Sequence, residues 1–160
     1  MLIKNYFFAL PWFLALSFNE LHAEEIPLPI KVGVVTSEFG NRPHPIFKHS
    51  RFHHGIDIVS SGNSIVKSIG SGLVIYAGTY GGYGNLLVIH HGNSISTHYA
   101  HLEKIIVVPG EVVSKGAEIG IIGNTGISKN PHLHFEIRKG GTALDPRKVI
   151  PAINTLVKGK

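Results

Sequence analysis

From Ile30 to Arg138 the sequence advances in short β-branched runs, each stopped by glycine or proline. The runs are Lys31 to Val35, Ile56 to Val59, Ser64 to Lys67, Leu73 to Ala77, Leu86 to His90, Ser94 to Tyr99, Ile105 to Val108, Ile119 to Ile122 and His132 to Arg138, punctuated by 19 glycines and nine prolines. Side chains branched at Cβ pack well on a pleated surface, while glycine and proline end pairing. The pattern predicts an all-β fold, an antiparallel sandwich or barrel. Only Pro146 to Val157 suits a short helix, and Pro151 interrupts it.

At 160 residues, 43% of them hydrophobic, the chain has the material for one ordinary core. Its start reads as a secretory signal over residues 1–23: Lys4, an apolar run from Tyr6 to Phe18, then Ala23 at the expected cleavage point. An uncleaved anchor is the alternative, but the run is short for a span and contains Pro11. Either way the domain is exported, periplasmic or secreted, with no membrane contact expected after signal removal. A lead-in over 24–35, a domain over 36–150 and a tail over 151–160 follow. The net charge of +5 favours an anionic polymer such as a cell wall. Without an Arg/Lys cluster or stacking aromatics, it does not suggest nucleic acid.

Chemistry concentrates in histidine. Cysteine is absent, so any metal must be held by His, Asp or Glu. In the His132 strand, alternation puts His132, His134 and Glu136 on one face and Leu133, Phe135 and Ile137 on the other. His53 and Asp57 flank Gly55 in a loop that enters a strand, where both side chains can converge on one ion. Thr97 to Leu102 carries His98 and His101 at a strand end. His90 and His91 read as a structural turn, and His44 and His49 as rim residues. His54 and His98 are expected to point away from their better-placed neighbours.

These motifs resemble the lysostaphin-type (LytM) family of zinc metallopeptidases that cut peptidoglycan peptides. The resemblance rests on Gly40-Asn41-Arg42-Pro43-His44-Pro45, His53-x-Gly55-x-Asp57, Tyr99-Ala100-His101-Leu102, Gly123-Asn124-Thr125-Gly126 and Pro131-His132-Leu133-His134-Phe135-Glu136-Ile137-Arg138. It implies a LytM-like barrel-sandwich hybrid with one zinc ion held by His53, Asp57 and His134. His101 and His132 match the catalytic pair, Tyr76, Tyr80 and Tyr83 match the groove wall, and peptidoglycan peptide stems are the implied partner. No inhibitory upstream domain is expected. Lys129-Asn130 departs from the family, where many relatives carry small residues, and so bears on substrate preference.

The residues support such chemistry on their own terms. Two imidazoles and a carboxylate leave a zinc position for water, and with no His-Glu-x-x-His helix a histidine must serve as base unless Glu136 does. Glu136 is expected instead to orient a ligand. A non-catalytic wall module that activates an amidase is the main competing reading. A cupin-like site lacks its downstream Glu and His, a serine hydrolase lacks its Gly-x-Ser-x-Gly elbow, and a carrier with Lys129 as attachment point leaves the histidines unexplained.

Overall fold

A computed structural model describes residues 26–43, 50–60 and 65–156. The expected leader over 1–23 and the expected rim residues His44 and His49 lie outside this set. Among the described residues twelve strands in chain order carry the fold: β1 Gly33–Ser37, β2 Gly40–Pro43, β3 Ser50–His53, β4 Ile56–Ser60, β5 Ile65–Lys67, β6 Gly72–Thr79, β7 Asn85–Gly92, β8 Ile95–Ile105, β9 Val112–Val113, β10 Glu118–Ile122, β11 Leu133–Lys139 and β12 Thr142–Leu144. The main sheet runs β1-β4-β11-β8-β7-β6-β9, with β10 joining β8 to β5 and β12 on β11, while β2 and β3 form a separate hairpin. Every pairing is antiparallel. The all-β expectation holds, and so does the short helix: Asp145 caps α1, Pro146–Val149, by accepting from the Arg147 amide.

Two details differ from the sequence reading. The run Ile105 to Val108 is not a strand of its own; β8 continues to Ile105, and 106–108 lead into a turn at Pro109-Gly110. Proline there lacks the N–H that a further strand residue would donate. The β2–β3 hairpin was not foreseen, because Asn41, Arg42 and Arg51 carry no apolar alternation.

Register explains how one sheet serves both core and site. Opposite residues of an antiparallel pair share a face, and β11 sets Phe135 against Tyr99 and Ile137 against Thr97, while His134 lies against Ala100 and Glu136 against His98. The first pair of positions faces the core, where the Tyr99 and Phe135 rings pack 5.4 Å apart and both are fully buried. Truncating a buried Phe of this kind costs about 3–5 kcal/mol. The core also takes in Ile30 ahead of β1 and Ile153 and Leu156 beyond α1. β11, late in the chain, sits between β4 and β8.

Candidate metal centre and active-site groove

Three strands deliver the candidate metal-binding side chains. β11 pairs with β4 so that His134 lies directly opposite Asp57, and β3 ends at His53 just before the chain turns into β4. Gly55 makes this turn possible: a Cβ there would collide with the Phe135 carbonyl and lie 2.9 Å from Glu136 Cγ. The His-x-Gly-x-Asp spacing is thus a packing requirement against β11.

His53 Nε2, His134 Nδ1 and Asp57 Oδ1 converge, with separations of 3.1 Å, 3.0 Å and 2.9 Å, all three residues being buried. The outer nitrogens fix the tautomers. His53 Nδ1 donates to the Glu38 carbonyl at 2.7 Å, and His134 Nε2 donates to Glu136 Oε1 at 2.9 Å. A carbonyl and a carboxylate only accept, so the inward nitrogens of the neutral rings present lone pairs beside a carboxylate. Three acceptors facing one another call for a cation. Zinc bonds of about 2.0–2.2 Å in a tetrahedron space donor atoms about 3.3 Å apart, close to the separations found, so the residues fit that ion.

Glu136 orients His134, as expected, and is itself held from three sides. Its carboxylate accepts from Tyr83 Oη at 2.8 Å and Arg138 Nε at 2.6 Å, and the residue is wholly buried. Burial raises its pKa, but hydrogen bonds and charge from His134 and Arg138 outweigh this and keep it ionised far below the usual range. Tyr83 is pushed up to about 12 by burial and by the Glu136 charge. Without metal, burial lowers His134, yet the Asp57 and Glu136 carboxylates raise it to about 9, and Asp57 is correspondingly depressed despite its burial.

His101 and His132 stand beside this cluster with ring centroids 4.7 Å apart. His101 Nδ1 donates to the Thr125 carbonyl at 2.7 Å; His132 Nδ1 donates to the Asn130 carbonyl at 2.8 Å, and its Nε2 lies 3.6 Å from Asp57 Oδ1. Burial, with help from the neighbouring His132 and His134, pushes His101 down to about 4, so its Nε2 bears a lone pair at neutral pH. Strict alternation would turn His101 toward the core beside Tyr99. A left-handed φ of 60° re-aims it into the site, at a cost of order 1–3 kcal/mol for a non-glycine residue.

The same alternation corrects one expectation. His98 does not point away: paired with Glu136, it lies on the His134 face, lowered to about 4 chiefly by burial. His101 is the exception to the strand's pattern, not His98. His54 is exposed at the groove rim, its ring 5.3 Å from Phe52.

A groove of about 630 Å³ runs over the cluster, and Tyr80 and Tyr83 line it. Tyr76 is not among the lining residues; its hydroxyl donates to the Thr79 carbonyl and its ring meets Tyr80 edge-on at 5.9 Å. Sequence reasoning missed Arg42, whose Nη2 reaches Asp57 Oδ2 at 3.2 Å, and the carbonyls of Glu38, Thr125 and Asn130. Backbone acceptors leave no residue-type signal to find them by.

Residues 51–146 match peptidase family M23. Over 122 residues the chain is 39% identical to the DD-carboxypeptidase/endopeptidase Mpg of Neisseria meningitidis, covering 76% of this chain but only 28% of that protein. Among solved structures, a zinc-containing peptidase from Vibrio cholerae superposes with a TM-score of 0.61 at 34% identity, covering 71% of this chain and 37% of that one. The catalytic domain of lysostaphin from Staphylococcus simulans gives a TM-score of 0.63 at 32% identity, covering 71% of this chain and 89% of that one. With more than half of its length inside the family match, the chain belongs to peptidase family M23.

Proposed function

We propose that the protein is an exported zinc metalloendopeptidase that hydrolyses peptide cross-links of bacterial peptidoglycan. The observation that carries this reading is the convergence of three potential ligand atoms, from His53, Asp57 and His134, beside two further imidazoles in an open groove. Relatives named as peptidoglycan DD-endopeptidases support the substrate.

In this proposal His53, Asp57 and His134 hold the ion. When bound, zinc supplies Lewis acidity toward a water molecule and the scissile carbonyl. The chain does the rest. His101, neutral and anchored through Nδ1 to Thr125, takes the water's proton at Nε2. His132, anchored through Nδ1 to Asn130, faces the same space; either ring, once protonated, donates from Nε2 to the developing oxyanion or to the leaving amine. Glu136, locked by Tyr83 and Arg138, keeps His134 in the tautomer that offers Nδ1. Tyr80 and Tyr83 wall the peptide in.

The test incubates purified protein with cross-linked peptidoglycan, with and without chelator, and reads products by mass spectrometry. Disappearance of cross-linked dimers, stopped by chelator and restored by zinc, is the expected result. Intact dimers after exposure to folded, zinc-loaded protein would replace this reading with a non-catalytic wall module that activates an amidase.

A further inference from the structure

The backbone at His101 is the least supported part of the site. β8 pairs with β11 as far as Ala100 and with β10 from Leu102 onward, so His101 falls between two ladders. Toward β7 the register slips at the same place. Asn85 faces Leu102 and Leu87 faces Tyr99, so Ala100 and His101 together oppose Leu86 alone. That arrangement is a β-bulge, and it carries the left-handed φ of 60° that turns His101 into the site. A non-glycine residue keeps such a conformation only where its surroundings over-determine it.

Two side chains converge on the bulge. The Thr125 hydroxyl donates to the Leu102 carbonyl at 2.8 Å and accepts the Asn85 amide N–H at 3.0 Å, while the Thr125 carbonyl accepts from the His101 ring at 2.7 Å. Asn85 Nδ2 donates to the same Leu102 carbonyl at 3.0 Å. Thr79 Oγ1, by donating to Asn85 Oδ1 at 3.1 Å, fixes which way that carboxamide points. Thr125 thus grips the backbone beside His101 and the imidazole together. Its side chain must donate to one strand and accept from the other, which a hydroxyl does with one atom.

We propose that Thr125, through its hydroxyl, is a positioning residue for His101: it holds the β8 bulge in its left-handed form and so keeps Nε2 aimed beside the ligand cluster. Asn85 is the second arm of the same bracket. The inference rests on the endopeptidase reading for its effect on turnover, and on the geometry of the metal-free chain for its effect on the ring.

The test compares Thr125→Val, which keeps the shape and the carbonyl but not the hydroxyl, with Thr125→Ser, which keeps the hydroxyl. A net hydrogen bond is worth up to about tenfold, and misplacing a catalytic group by about 1 Å costs about 10²-fold. Thr125→Val is therefore expected to lower kcat by about 10- to 100-fold with KM and zinc affinity little changed, and Thr125→Ser to recover most of that loss. Heteronuclear NMR of the imidazole nitrogens in metal-free protein reads the ring directly. His101, assigned by comparison with His101→Ala, should show the Nδ1–H tautomer in the unaltered protein and in Thr125→Ser, and a mixture of tautomers in Thr125→Val. Should Thr125→Val fail to fold, Asn85→Ala removes the second donor to the Leu102 carbonyl and must bring the same two changes. A variant that melts earlier with kcat and tautomer intact, or a serine variant as impaired as the valine one, would overturn the proposal. If the unaltered protein cleaves nothing, yet Thr125→Val loses the tautomer and Thr125→Ser keeps it, the positioning role stands and the endopeptidase reading falls.

Discussion

At the scale of single residues, the division of labour among five side chains is open to direct measurement. Asp57→Ala and His134→Ala are expected to lose zinc, whereas His101→Ala should keep it and lose about 10²- to 10⁴-fold in turnover; equal metal loss in all three would erase the distinction. Glu136→Gln should weaken zinc binding by about 10- to 100-fold, as removal of a ligand's orienting partner does, read by competition with a chromogenic chelator. His134 makes a pH prediction with a definite sign. Its metal-free value of about 9, against the usual 6.5, means that its charge stabilises the metal-free fold below 6.5 and that this contribution fades as the pH climbs through 9. At pH 7.5 zinc must therefore displace a proton. Calorimetric titrations in buffers of different ionisation enthalpy should report about one proton released per zinc, and a binding heat independent of buffer would contradict it.

At the scale of strands and turns, the backbone of His101 does what its neighbours in β8 do not. Glycine is ordinarily worse than alanine inside a strand, but a left-handed φ of 60° reverses that preference. Thermal melts of metal-free His101→Gly and His101→Ala should show the glycine variant as the more stable, and the ordinary order would mean that the turn carries no strain. Gly84 and Gly126 tie the Tyr80-to-Tyr83 turn to the Thr125 loop so closely that a Cβ on Gly84 would meet the Thr125 backbone. Gly84→Ala should shift the carbonyl that anchors His101, lowering turnover along with stability; a large drop in melting temperature with turnover intact would refute that link. These two features also mark the limit of what sequence shows. The His-x-His alternation and the His-x-Gly-x-Asp spacing are local, so the strands that bring His53, Asp57 and His134 together were legible. The re-aimed His101, the Arg42 contact and the inward His98 come from register and a left-handed residue, neither of which residue types encode locally.

At the scale of the molecule, the three converging side chains His53, Asp57 and His134 belong to β3, β4 and β11, and no unfolded chain holds them together. An ion bound only by the native state at about 1,000 times its Kd adds about 4 kcal/mol. For a domain of this size, scanning calorimetry should show a melting temperature higher by about 10 °C with zinc than with chelator; coincident melts would mean that the site does not load. The position of β11 has a consequence for the order in which the protein is made. Among the described strands, the one that fills the gap between β4 and β8 is the last long one to leave the ribosome. Until it arrives, two earlier strands present unpaired edges to each other, and His132 and His134 do not yet exist. A chain arrested before His132 therefore lacks the third side chain of the His53–Asp57–His134 cluster, and what it risks is sticking to its siblings.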